Sequence, residues 1–301
     1  MTNIGSFQDN YGSVSNQQTL QPVEAYSISP EGRDRLASEL KARGFELRSY
    51  CEEKMTPEGI VSVCAAFAIN FYRMNGLMAA LTDDFVRTNC SQGVLYEFDP
   101  LGEAAKAIRF VYGELARNGF LAEGSWVHPE GRVVIRQHNH PRVRKIITGS
   151  WLEINAYQMY LANVRISSPE EEWAVYRNVK IYDIANGIEN EIDLVLINNN
   201  HDMMITECRS SDFAMVLGKY EDTCKRLGLP MQNLMVIAPR ATRAQIETAL
   251  YLFDVNVANL WGGLKSKIED FLNAAVPIED AEDRELTGKE MSNIVSEQAV
   301  A

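Results

Sequence analysis

The chain has 301 residues, 46% of them hydrophobic and 23% charged, which suits a globular protein with a sizeable core and room for two folded domains. No run of about 18 apolar residues occurs and no basic-then-apolar leader opens the chain, so neither a membrane span nor a signal peptide is expected and the composition points to a cytoplasmic protein. The formal net charge of -12 excludes a protein that coats nucleic acid nonspecifically, yet leaves room for a site-specific one that is basic only locally. The five cysteines, Cys51, Cys64, Cys90, Cys208 and Cys224, are widely spaced in apolar contexts with no C-x-x-C pair, so reduced core thiols are expected rather than a zinc cluster.

Residues 1–28 are rich in Gln, Asn, Ser and Gly and form a polar tail with few core formers. Ser29-Pro30-Glu31 starts a helix that Gly44 stops, and Thr56-Pro57-Glu58 starts a second, apolar one over Ile60 to Met74. Asn75-Gly76 breaks it before a third helix from Leu77 to about Asn89. Cys64, Phe67, Ala68 and Phe71 recur at helical spacing and mark a core or a subunit interface. Leu101 to Asn118 predicts a further helix, and strands at Phe120 to Val127 and Arg132 to Gln137 follow, joined by His128-Pro129-Glu130-Gly131. Helix then hairpin is the back half of a winged helix. Such a unit reads DNA, here through Lys106, Arg109 and Arg117, or only connects domains; Glu103 and Glu114 on the same helix favour the connecting role.

From Pro141 the pattern alternates between helix and strand. A helix covers Arg142 to Asn163, strands follow at Ala174 to Tyr182, Glu191 to Ile197 and Met203 to Arg209, and a helix runs from Phe213 to Leu227. A buried strand at Asn233 to Ala238, a helix at Arg243 to Phe253, a short strand at Val255 to Ala258 and a helix at Leu260 to Ala274 complete the set. The predicted fold class is α/β: a mixed sheet with helices on both faces, preceded by a helical, winged-helix-like unit. The expected divisions are 1–28, 29–140, 141–275 and an acidic tail at 276–301.

The span Asn190 to Arg209 reads as a tight hairpin, two β-prone runs around Asn198, Asn199 and Asn200. A turn centred near Asn200 sets Asp193 opposite Glu207, because paired positions in an antiparallel ladder have a constant index sum. Alternation then places Glu207 and Arg209 with Asp193 on one face and Thr206 and Cys208 on the other. Two carboxylates this close repel, and such pairs persist where a divalent cation sits between them. From Gly131 to Leu152 there is no acidic residue, while Arg132, Arg136, Arg142, Arg144 and Lys145 lie within the stretch as a candidate phosphate-contacting track. His138-Asn139-His140, two histidines separated by one residue, lacks the framework of a metal-dependent nuclease loop and reads as surface.

Glu153, Asp193 and Glu207-Cys208-Arg209, on helix, strand and strand, resemble the PD-(D/E)XK restriction-endonuclease-like superfamily. G-S-W-L-E, N-E-I-D, E-C-R, L-G-K-Y and K-R-L-G are more narrowly similar to the C-terminal nuclease domain of CRISPR-associated effectors activated by cyclic oligoadenylate. The resemblance spans Phe110 to Val257 and does not reach the N-terminal third, where no Rossmann-like ligand sensor is read, so activation by a cyclic nucleotide is not implied. It implies that Asp193, Glu207 and the Cys208 main-chain carbonyl hold Mg2+ or Mn2+, with Glu153 binding the ion or accepting a metal-bound water. Lys219 stands where related domains carry a lysine, and Arg209 stands where the pattern places one. Arginine keeps the charge but cannot serve as a base.

Two functions follow from these residues. One is a Mg/Mn-dependent endonuclease on DNA, with RNA second, having weak sequence preference and acting as a homodimer in a defence context. The other is a catalytically silent protein of the same fold that binds nucleic acid or a protein partner.

Overall fold

The computed structural model describes residues 30–51, 56–88, 93–167, 173–210, 213, 217–259 and 263–274; the predicted tails, Ser29 and Cys90 lie outside the described residues. Helix α1 (Pro30–Ala42) opens with proline, whose fixed φ suits a first turn, and ends before Gly44, which takes the left-handed conformation (φ 84). Directly after it comes β1 (Phe45–Cys51), a strand absent from the expected elements. Helices α2 (Glu58–Asn70), α3 (Asn75–Thr88) and α4 (Glu103–Arg117) follow, with a four-residue strand β2 (Val94–Glu97) between the last two that was likewise not predicted. The expected hairpin is present but shorter, as β3 (Trp126–His128) and β4 (Arg132–Ile135), and β2 joins it in a three-stranded antiparallel sheet, order β2-β4-β3.

The predicted helix from Arg142 is three pieces: α5 (Pro141–Lys145), a π-helical turn at Ile146–Ser150 kinked at Gly149, and α6 (Trp151–Ser167). Then come the long antiparallel strands β5 (Trp173–Asp183) and β6 (Ile188–Asn198), and β7 (Met203–Cys208). Helix α7 (Leu217–Leu227), β8 (Leu234–Ile237), α8 (Arg243–Phe253), β9 (Asn256–Ala258) and α9 (Leu264–Ala274) close the described chain. The capping box of α8, Thr242 with Gln245, fixes its start where the sequence put it.

The main sheet has six strands in the order β1-β5-β6-β7-β8-β9, antiparallel from β1 to β7 and parallel from β7 to β9. One face is covered by α1, α7 and α8 through Leu36, Leu40, Tyr220, Cys224 and Ala249. The other packs on α6 and α9, and the same apolar cluster continues without interruption into α2, α3, α4 and the small sheet. Trp151, 1% exposed, sits at that junction, stacked on Phe71 (5.3 Å) and edge-on to Phe67 (6.3 Å). The expected boundary at 140/141 therefore separates neither the core nor the sheet: β1 pairs with β5, and one core serves both sides. The apolar face with Cys64, Phe67, Ala68 and Phe71, read as a core or a subunit interface, belongs to this internal core together with Val63, Leu77 and Leu81. Cys64 and Cys224 are buried free thiols, and Cys51 and Cys208 are half-buried ones, as the composition predicts. Among the described residues no helix is long and apolar enough to cross a membrane.

Candidate active site at the fork between two strands

The β6–β7 ladder pairs Leu194 with Thr206 and Ile197 with Met203, the register that sets Asp193 opposite Glu207. Beyond Leu194 the two strands part. Strand β6 stays with β5, while β7 continues beside β8 through Glu207 with Val236 and Cys208 with Ile237, and Arg209 N donates to Ile237 O at 2.8 Å. In the opened gap the Asp193 carboxylate takes over for the missing ladder: its Oδ2 accepts from Cys208 N at 2.8 Å. Thr206 points the other way, onto Tyr160 of α6, with hydroxyl oxygens 2.6 Å apart.

A second irregularity faces the fork from β5. Asn178 takes a left-handed φ of 52 at the position opposite Asp193, between the pairs Arg177–Leu194 and Val179–Ile192. Asparagine tolerates this conformation where a β-branched residue would not. Its effect is a phase change: Val175 and Leu194 pack on the α6 side, whereas Val179 and Ile192, each an even number of residues away, pack on the α7 side. Regular alternation would hold each strand's even-spaced residues on one face. The Asn178 amide nitrogen lies 3.6 Å from Cys51 Sγ; with the amide turned over, it donates instead to Glu153 Oε2 (3.0 Å) and Glu191 Oε1 (3.3 Å), the orientation that ties the helix-borne acid to the fork.

The acids share too little positive charge. Burial pushes Glu207 up to about 8, aided by the Asp193 charge and opposed by Arg209. Burial likewise pushes Glu153 up to about 7, with Asp193 adding to it and Lys145 and Arg177 opposing. Asp193 lies above its ordinary range, raised by burial against the Cys208 amide and Arg209. An all-oxygen donor set whose ionisation is held back first by burial, and for Glu207 and Glu153 also by the Asp193 charge, fits a hard divalent cation. Among the described residues, however, no three His, Cys, Asp or Glu side chains are grouped tightly enough to form a preformed cage. The geometry thus gives a carboxylate pair with Glu153 beside it, not the ready three-acid cluster that the motif order suggests.

Arg209, where the pattern expects lysine, is held on Tyr220 of α7. Its Nε donates to the tyrosine hydroxyl, its guanidinium lies 5.4 Å from the ring centre, and Nη2 is 3.5 Å from Glu207 Oε2. Lys219 next to Tyr220 is exposed, and its charge reaches Glu207. Tyr220, Asn178, Glu191 and Arg177 were not singled out from the sequence. Arg177 joins the site to the N-terminal helices by donating to Thr56 Oγ1 at 2.8 Å, so the Thr56 hydroxyl does not cap α2, whose N-cap is Pro57. The one available signal was Asn178 itself, a turn-forming residue inside the run Ala174 to Tyr182.

Arg132, Arg136, Arg142, Arg144 and Lys145 are all exposed. Arg132 shares its charge with Glu130 (3.0 Å), whereas Lys145 is close enough to Glu153 and Asp193 to stabilise their ionised forms. His140 Nδ1 accepts from Arg142 N at 3.2 Å, which makes this histidine the cap of α5 and agrees with the loop reading of His138-Asn139-His140. On α4, Arg117 pairs with Glu114 and Arg109 donates to Pro129 O, contacts that hold their own unit together.

No protein-family model matches the chain, and no curated protein matches it in sequence. Solved structures do match. Protein VC1899 from Vibrio cholerae superposes with a TM-score of 0.56 at 16% identity, over 79% of this chain and 60% of that one. Can2 from Sulfobacillus thermosulfidooxidans, solved in complex with cyclic tetra-adenylate (cA4), superposes with a TM-score of 0.55 at 14% identity, over 79% of this chain and 58% of that one. The chain spans about three fifths of the length of these neighbours, and the match extends beyond the Phe110 to Val257 stretch that carries the sequence resemblance. At such identities the likeness establishes a shared fold, that of a mixed six-stranded sheet flanked by helices.

Proposed function

We propose that this chain is a metal-dependent endonuclease of the PD-(D/E)XK type, hydrolysing phosphodiester bonds of DNA, with RNA as the second candidate, at weak sequence preference. The observation that carries the reading is the fork, where the register aligns Asp193 with Glu207 across parted strands and burial, with the Asp193 charge, holds back the ionisation of Glu207. Asp193, Glu207 and the Cys208 carbonyl would hold Mg2+ or Mn2+, which when bound lowers the pKa of a bound water and offsets charge on the scissile phosphate. Glu153, pushed up by burial and the Asp193 charge, is suited to take a proton from the attacking water. Arg209 cannot take that role; fixed on Tyr220, it presents its charge to a phosphate oxygen. Lys145 and Lys219 add charge from the two sides of the fork. The fold shared with Can2, a protein solved with cA4, supports the CRISPR-associated resemblance and with it a defence setting. A homodimer carrying two such sites would cut both strands of a duplex.

The test is incubation of the purified protein with plasmid and single-stranded substrates in Mn2+, Mg2+ and EDTA. Cleavage that needs the metal and vanishes in Asp193→Ala and Glu207→Ala supports the reading. The engagement of Arg209 with Tyr220 and Glu207 favours a second reading, a silent nuclease fold that binds without cutting. Binding with no cleavage in either metal would establish it.

A further inference from the structure

The small sheet presents a face that neither the fork nor the core uses. In β4, Val133 and Ile135 are fully buried, so Arg132, Val134 and Arg136 project from the opposite side. The register carries that side across the sheet. Val134 pairs with Leu95 on β2 and with Trp126 on β3, while Arg132 pairs with Glu97 and His128. The result is a cross-sheet row of Leu95, Val134 and Trp126, with Leu95 63% and Trp126 41% exposed, although such side chains are costly to leave in water. His128 stands edge-on to Trp126 at 6.4 Å.

Cations border the row. Arg136 reaches across Gly124: a Cβ built on that glycine would meet its Nη1 at 3.0 Å, and one on Gly93 would meet its Cγ at 2.7 Å. Both flanking glycines, at φ 83 and 76, thus leave the space that this side chain fills. Among the described residues no acid pairs with Arg136, while Arg132 is shared with Glu130, and Glu97 is the one acid in the outer rows of the three strands. The chain then runs from Arg136 through Arg142 to Lys145, whose charge acts on Glu153 and Asp193. An exposed indole on the same face as the Arg136 guanidinium has the chemistry of a base-stacking platform with a phosphate contact. A duplex hides the faces of its bases in the stack, so only an unpaired strand can offer one to Trp126.

We propose that the outer face of β2-β4-β3 binds single-stranded nucleic acid, with Trp126 stacking on a base and Arg136 contacting a neighbouring phosphate, and so feeds the fork with unpaired substrate. The inference rests on the nuclease reading for its purpose but is tested apart from it. Fluorescein-labelled dT12, rU12 and a 12-base-pair duplex are titrated with the full-length protein in EDTA, where no metal-dependent cleavage can occur. Trp126→Ala is expected to weaken single-strand binding on the order of tenfold or more, with Trp126→Phe recovering most of the loss. Arg136→Gln is expected to lower the salt slope of single-strand binding by about 0.7, the value of one released phosphate contact. Single-strand binding should also quench a tryptophan fluorescence component that is missing in Trp126→Phe. Unchanged melting temperatures will show that these exposed substitutions leave the fold intact. Equal single-strand affinity in wild type and Trp126→Ala, or binding by the duplex alone, would overturn the proposal whether or not the protein cuts. Binding by neither polynucleotide would also overturn it and leave the face to a protein partner. Trp126-dependent binding without cleavage in Mn2+ would uphold the platform and reject the nuclease.

Discussion

The main sheet behaves differently in two neighbouring regions. Where β7 lies between β6 and β8, residues alternate between the two cores in strict period two, with Met204, Met235 and Ile237 on one side and Ile205, Leu234 and Val236 on the other. At Asn178 and Asp193 that phase is lost, the ladder opens, and buried acids occupy the gap. The regular part gains stability from area buried on both faces. The irregular part gives some of it up to place carboxylates near one another.

The severest way to break the contrast is to remove a fork acid. Asp193→Ala or Glu207→Ala is expected to lower metal-dependent cleavage by roughly a thousandfold or more while the protein stays folded, as read by cleavage rate beside circular dichroism. A comparable loss of structure would mean that the pair serves the fold. In the core, Trp151→Ala should cost about 3 to 5 kcal/mol, because a fully buried ring holding α6 to α2 and its C-terminal end leaves a cavity; urea unfolding measures it.

A smaller effect should come from pH. Glu207 and Glu153 have folded-state pKa values near 8 and 7, above the ordinary 4.5, so the folded state binds more protons than the unfolded one between those limits. Their contribution to stability is complete below about 4.5 and is lost as pH rises through about 8. The melting temperature of the metal-free protein should therefore fall across that window. Glu207→Gln should be more stable than wild type at pH 8.5 by about 1 to 3 kcal/mol, and saturating Mg2+ should narrow the difference. A flat profile would show that the acids already have their countercharge. The smallest change is expected from Arg209→Lys, which keeps the charge and restores the residue of the motif. Activity should remain within a few-fold of wild type or rise, and its complete loss would assign Arg209 a role that only a guanidinium held on Tyr220 can fill.

The hairpin was legible because its register follows from local chemistry: turn formers mark the turn, which Asn198 closes onto Asp202, and index sums carry the register to Asp193 and Glu207. Helix α8 has the expected bounds, and the structure shows why it starts there: a capping box of Thr242 and Gln245. What escaped was set by distant partners. Phe45–Cys51 alternates like a strand, but its place depends on β5, more than a hundred residues away. Val94–Glu97 is too short to stand out until β4 lies beside it. The π turn before Glu153 leaves no mark in the periodicity of Arg142 to Asn163, and Asn178 reveals its role only when Glu153 and Glu191 close on it. The carboxylates were visible as residue types, but their support on Asn178, Arg177 and Tyr220 is a property of the packed molecule.

The apolar cluster that runs from α2 through α6 into the main sheet has a practical consequence. A fragment starting at residue 141 would bare the side of α6 that Phe67 and Phe71 cover and would leave β5 as a naked sheet edge, an invitation to aggregate. Limited proteolysis should therefore yield no catalytic fragment of the C-terminal half, and both halves should melt together as one cooperative unit.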